Sequence, residues 1–408
     1  MACPLPPSGL YIESVKESAA AIRRASGIEI GPASIHRLLH SEAFTSSFQR
    51  VSQKNGLALP LKFPSVLAEL NCIAILSLLN FGSGYRVPLH QETGRGAWDN
   101  MRALVMSMYI SSSGEEDYMS AKGMQSIDAS TIAQLMQINI HVEKPHEQNS
   151  FITVGTLGGP LYDLTMLIKT TLNDTGRVLV QGGYPDLGSF VAEALQEGAK
   201  FKAKSPTAQA NVVLERLVKA FPAFQDMSRI DEQPLYCFKK ALFLLAAIHI
   251  RFSHLEPAPF DAPDINSLPV FSDNVLPSLL IHLGVLDVTS CPSVRQEIND
   301  MSKEGDLSSL LGSPSTTPSS QEDQIRSKTA PRDGVLLKKE QAYLLRAAAI
   351  DACEMIVAEA RSMDFPSQLQ WIKTITLPQV DLWLWAVAKD RADYRALSRF
   401  VERDTAFF

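Results

Sequence analysis

Residues 64–80 read PSVLAELNCIAILSLLN, and this stretch decides the fold class. Its apolar residues do not keep to one stripe but run almost all round a helical wheel. A helix of that kind has to be surrounded by other elements. Working outward, other segments follow the same period. Asp128-Ala-Ser-Thr131 is a start signal ahead of Ile132, Leu135 and Met136. Residues 161–173 (LYDLTMLIKTTLN) read as helix, and Gly176 suits its end. Residues 208–221 place Val212, Val213, Leu217 and Phe221 on one side, and residues 236–250 are apolar apart from Lys239, Lys240 and His249. Residues 341–361 carry Leu344, Leu345, Ala348, Ala352, Met355 and Ile356 at helical spacing. Pro378 fits the first turn of a helix that continues through Asp381-Leu-Trp-Leu-Trp385. Strand candidates are few: 138–142, 151–154 and 177–180. No repeat with a period of about 20–50 residues recurs. The fold class predicted is mostly α, with a minor β component.

Composition narrows the function classes. The chain has 408 residues, 45% hydrophobic and 20% charged, the mix of a soluble protein with a sizeable core. A net charge of −6 argues against a surface built to follow a nucleic-acid backbone. The longest strongly apolar run, 241–250, has about half the ~20 residues a bilayer span needs. The opening MACPLPP lacks the basic and apolar regions of a signal peptide, so a cytoplasmic protein without membrane attachment is expected. Five scattered cysteines without a CxxC make neither a disulfide framework nor a thiolate zinc site. Residues 301–334, rich in Ser, Thr, Pro and charge, bury too little apolar surface to offset their ordering entropy. They read as a disordered insertion within a single domain spanning 1–408.

No Walker loop, nucleophile elbow, HExxH or kinase signature is present. Four local groupings stand out, each open to two readings. Leu79-Asn-Phe-Gly-Ser-Gly-Tyr85 is either a helix end with a tight turn, or a glycine-rich approach to a ligand with Phe81 and Tyr85 to stack on a flat ring. Phe221-Pro-Ala-Phe-Gln-Asp226 is a capped loop with packed aromatics or part of a site. Lys239-Lys240 opens an apolar helix, where an ammonium is unfavourable unless an anion is also present. This hints at a phosphate, and two solvated lysines on an exposed turn explain it equally. Phe271-Ser-Asp-Asn-Val-Leu-Pro277 offers either a helix-capping aspartate or a placed carboxylate.

Taken in order, these segments resemble the queuosine salvage family, whose members hydrolyse queuosine 5'-phosphate to free queuine. The marks are Asn80-Phe-Gly-Ser-Gly-Tyr85, Phe221-Pro-x-Phe-x-Asp226 with Phe238-Lys239, and Phe271-Ser-Asp-Asn-x-Leu-Pro277. Gly96-Ala-Trp98, Asp381-Leu-Trp-Leu-Trp385 and Phe407-Phe408 add to them, whereas Gln225 departs from the pattern, which often has arginine there. The resemblance implies a helical domain similar to base-excision DNA glycosylases, an N-glycosyl hydrolase needing neither metal nor organic cofactor, and a nucleoside monophosphate as its partner. The fold analogy invites a polymeric nucleic acid, but the charge balance counts against one as a partner; the product implied by the resemblance would feed tRNA modification.

The resemblance makes Asp273 the catalytic carboxylate, stabilising oxocarbenium character, activating water or forming a covalent intermediate. It sets Lys239 beside Asp273 as the second catalytic residue, the partner of the 5'-phosphate or of a polar group near the ribose. Phe81 and Tyr85 would stack on the deazapurine, and Asn80 and Asp226 would bond its polar edge. Phe238, Asn274, Glu354 and Asp381 complete the substrate-binding set, the last two equally able to hold helices together. Trp383, Trp385 and Phe408 read as core packing or pocket lining. Queuine lacks the N7 that assists a departing guanine and carries a cationic amine, so the resemblance also implies a carboxylate-rich pocket. Two other functions fit a helical chain: a base glycosylase acting on DNA or RNA, and a non-catalytic helical interaction protein.

Overall fold

The computed structural model describes residues 3–52, 59–112, 117–146, 149–298, 301, 304–313 and 332–408. It is mostly helical, with short strands in two-stranded sheets. The all-round apolar stretch forms the helix Val66–Leu78, with Ser65 accepting the Ala68 amide at its start and every residue from Leu70 to Leu78 buried. Asp128 caps the helix Ala129–Met136 through the Thr131 amide, as its sequence signal requires. Among the described residues no single helix is long and apolar enough to cross a membrane.

The chain divides into two compact units, each assembled from separate stretches. The first comprises Met1–Lys62, Leu195–Arg216 and Asp226–Glu402. Its long helix Lys339–Ser362 packs against the helices Tyr11–Ser26, Pro32–Leu39, Val275–His282 and Leu377–Asp390. That helix is buried over most of its surface, so its charged members need partners: Asp351 takes Arg23 at 2.7 Å, and Arg346 takes Asp226. Trp383 is core, donating to Ser47 Oγ and meeting Phe44 edge-on. The hairpin Met227–Ile230/Gln233–Tyr236 leads into the helix Lys239–Phe252.

The second unit comprises Phe63–Ala194, Leu217–Gln225 and Arg403–Phe408. It holds the helix Val66–Leu78, the long helix Pro160–Gln181 and the hairpin His141–His146/Asn149–Leu157. Of the three predicted strands, 151–154 falls on this hairpin, whereas 138–142 overlaps it only at 141–142, its first three residues preceding the strand. The third, 177–180, is helical, because Pro160–Gln181 continues through Gly176. Gly176 does not end a helix but lets it cross another closely: a Cβ there would lie 2.6 Å from Ala121 O and collide with Gln125.

The low-complexity segment is not disordered throughout. Leu307–Leu311 is helical, with Asp306 accepting the Ser309 amide, Leu310 and Leu311 buried, and Tyr394 donating to Leu310 O. Asp333–Leu336 pairs in parallel with Arg399–Val401. Two apolar residues and a paired backbone outweigh the polar composition around them. The predicted insertion's centre, 314–331, lies outside the described residues.

Candidate functional site

The first unit gathers charge where water is excluded. Lys239 and Lys240 open the helix Lys239–Phe252, as the sequence predicts, but neither is solvated: they are 5% and 0% exposed. Burial pulls Lys239 down to about 8, with the Asp273 carboxylate working in the opposite direction and Arg346 adding to the depression. Lys240 falls to about 7, again through burial, with Asp226 opposing.

Asp273 lies beside the start of the helix Val275–His282 and accepts the Val275 amide at 2.7 Å. The capping and the functional readings of this residue are therefore compatible, since one carboxylate oxygen fixes the side chain. Asn274, the cap residue itself, is buried and donates to Phe400 O at 2.8 Å. Asp381 projects from the helix Leu377–Asp390 and accepts the Phe271 amide at 2.6 Å. Burial raises it to about 7; the Phe271 bond and Lys239 oppose that shift, while Asp273 adds to it. Lys239, Asp273 and Asp381 therefore share one electrostatic environment, and the structure brings these three together.

Asp226 is fully buried, and its side chain is occupied. Arg346 grips it with two nitrogens, Nη1 to Oδ1 at 2.9 Å and Nη2 to Oδ2 at 2.5 Å, and Tyr343 donates to Oδ1 at 2.8 Å. The Lys239 amide takes Oδ2 at 3.1 Å. Asp226, to which the resemblance assigns the edge of the base, thus holds an internal ion pair with both carboxylate oxygens engaged. Phe238 is likewise engaged in packing: its ring stacks on Tyr11 and Tyr236, and its φ of 48° is the left-handed conformation that turns the chain into the helix. Glu354 forms an ion pair with Lys16 at 3.0 Å, both partly exposed.

The sequence did not single out Arg346 or Tyr343, the side chains that hold Asp226. One signal existed: an arginine inside the apolar run Leu344 to Ile350 has to find a buried partner. Glu402, also in this unit, is raised to about 7 by burial, with Arg346 opposing. Among the described residues no group of three His, Cys, Asp or Glu side chains is placed to hold a metal ion.

In the second unit, Phe81 and Tyr85 are 3% and 1% exposed, and Asn80 is half-buried. They flank Gly82, whose φ of 95° and contacts with Met101 and Leu164 leave little room for a side chain. The Gly82 amide donates to Phe408 O at 3.1 Å, and the Asp404 amide to the Tyr85 hydroxyl at 3.3 Å. Here the turn reading of the glycines holds: a helix end runs into a 3-10 turn at Ser83–Tyr85.

The protein is mostly helical, with a buried lysine, two carboxylates in its field and an aspartate locked by a guanidinium. The model of the family described as Queuosine salvage protein matches residues 68–303, more than half of the chain, and the chain belongs to that family. The matched range includes Asn80, Phe81, Tyr85, Asp226, Phe238, Lys239, Asp273 and Asn274. Over 140 residues the chain is 25% identical to a protein of Sphaerobacter thermophilus named queuosine 5'-phosphate N-glycosylase/hydrolase. That alignment covers 32% of this chain and 43% of the relative, less than half of its length.

Proposed function

We propose that the protein hydrolyses the N-glycosidic bond of queuosine 5'-monophosphate and releases queuine. The observation that carries this reading is a nearly buried carboxylate, Asp273, in the field of a nearly buried ammonium, Lys239. Breaking the bond develops positive charge on the anomeric carbon of the ribose. A carboxylate held where water is scarce stabilises that charge far more than one in solution. Asp273 is the group assigned to this task.

Lys239 is assigned to the 5'-phosphate. Its ammonium stands at the positive end of a helix, where an anion is favoured and a cation alone is not. Burial makes the uncharged amine accessible near neutrality, and an arriving phosphate restores the charge. Asp381 adds a second carboxylate whose proton comes and goes near neutral pH, suited to a substrate that carries a cationic amine. Membership of the salvage family and the partial likeness to a named hydrolase support the same substrate.

The test is chromatography with mass detection of queuosine 5'-monophosphate incubated with the wild type and with Asp273→Asn. Free queuine from the wild type, reduced at least ~10³-fold in the variant, is expected. Equal release would move the catalytic role to another group. No release from folded wild type would remove the proposed reaction.

A further inference from the structure

We infer that Arg346 is a positioning residue for this reaction: through Asp226 it ties the backbone that carries Lys239 to the backbone that carries Asp273. The inference rests on the proposed hydrolysis for its kinetic consequence, but not for its geometry.

Three consecutive amides leading into the lysine helix all donate to one residue. The Cys237 and Phe238 amides bond Asp226 O at 3.0 and 3.2 Å, and the Lys239 amide bonds Asp226 Oδ2 at 3.1 Å. Asp226 therefore sets where the helix begins, including the left-handed turn at Phe238 that a bulky residue adopts only when its surroundings impose it. Arg346 in turn sets Asp226. Its two terminal nitrogens grip the carboxylate, and its Nε donates to Ser272 O at 2.8 Å, the carbonyl just before Asp273. One planar guanidinium thus spans the two segments.

The side chains of Asp226 and Arg346 are both 0% exposed, so neither can relax into water. Lysine cannot reproduce this link. A fork that bonds both carboxylate oxygens and still offers a third N–H to a carbonyl is a property of guanidinium alone. Misplacement of reacting groups by about 1 Å costs on the order of 10²-fold in rate, so a rigid tie between them has a kinetic consequence distinct from stability.

The experiment compares full-length wild type, Arg346→Lys, Arg346→Ala and Asp351→Asn in hydrolysis of queuosine 5'-monophosphate, each with its melting temperature. Asp351→Asn breaks the ion pair to Arg23 on the same helix, away from Asp226, and controls for stability alone. For Arg346→Lys the expected result is kcat lower by about 10²-fold with KM within about threefold. Guanidinium ion should restore part of the rate of Arg346→Ala, and Asp351→Asn should keep wild-type kcat. A second readout needs no turnover: amide resonances of 15N-lysine- and 15N-valine-labelled protein. The tie predicts that Lys239 and Val275, the latter bonded to the Asp273 carboxylate, both shift in Arg346→Lys.

Unchanged kcat in a destabilised Arg346→Lys overturns the inference, as does movement of the Lys239 amide without Val275. Absence of queuine release by the wild type would instead remove the proposed reaction. The paired amide shifts would still decide the positioning.

Discussion

Asp381 is a carboxylate in a place that resists its charge. Burial raises it to about 7, against a bond from the Phe271 amide and the attraction of Lys239. The unfolded chain gives up this proton near pH 4, whereas the folded chain keeps it until near pH 7. Through that window the folded state binds more protons, so raising the pH removes stability; below it both states are protonated, and above it both are ionised. Asp381→Asn retains an oxygen to accept the Phe271 amide and has no charge to bury. Urea unfolding of wild type and variant from pH 4 to 8 should show the variant gaining on the wild type up to about pH 7, then a constant difference. Parallel curves would mean that Asp381 ionises as freely in the folded protein as in the unfolded one. At this scale the sequence singled out Lys239 and Asp273 from their own motifs, and both side chains are buried in the structure. It did not show what engages the Asp226 carboxylate, because Arg346 stands 120 positions away.

Helices were legible from a start signal with an apolar period, as at Asp128, or from an all-round apolar stretch, as in 64–80. Where one helix leans on another, local signals failed. The alternating valines of 177–180 resemble a strand and Gly176 resembles a helix stop, yet the helix Pro160–Gln181 runs through both. Its glycine is the point of closest approach to Ala121 and Gln125, which no local pattern reveals. This gives the substitution Gly176→Ala an inverted sign. In an open helix alanine would gain about 1 kcal/mol over glycine. Here the added methyl must push apart two backbones, and overpacking of that kind costs about 1–3 kcal/mol. The urea midpoint of Gly176→Ala should fall with the slope unchanged. A rise would mean that the crossing is looser than a Cβ at 2.6 Å from Ala121 O allows.

Neither compact unit is a continuous stretch of chain, and reading the sequence as one domain with an insertion could not anticipate how its segments are shared out. Residues 403–408 come one residue after the strand Arg399–Val401 of the first unit but belong to the second. What recruits them is local and specific. Phe408 is 1% exposed, and its carbonyl accepts the Gly82 amide at 3.1 Å. The Asp404 amide reaches the Tyr85 hydroxyl at 3.3 Å. The turn at Gly82 is thus completed by residues more than 300 positions later in the chain. Removing the ring in Phe408→Ala keeps the carbonyl but empties its buried site, at a cost of about 3–5 kcal/mol for a fully packed phenylalanine. Because local opening follows local packing, the loss should be confined to the second unit. Hydrogen exchange followed by mass spectrometry should show faster exchange in peptides covering Val66–Leu78 and Ser83–Tyr85. Peptides from Lys339–Ser362 should keep their wild-type rates. Uniformly faster exchange across both sets would show that the two units open as one cooperative body; unchanged rates at Ser83–Tyr85 would show that the glycine turn holds its shape without Phe408.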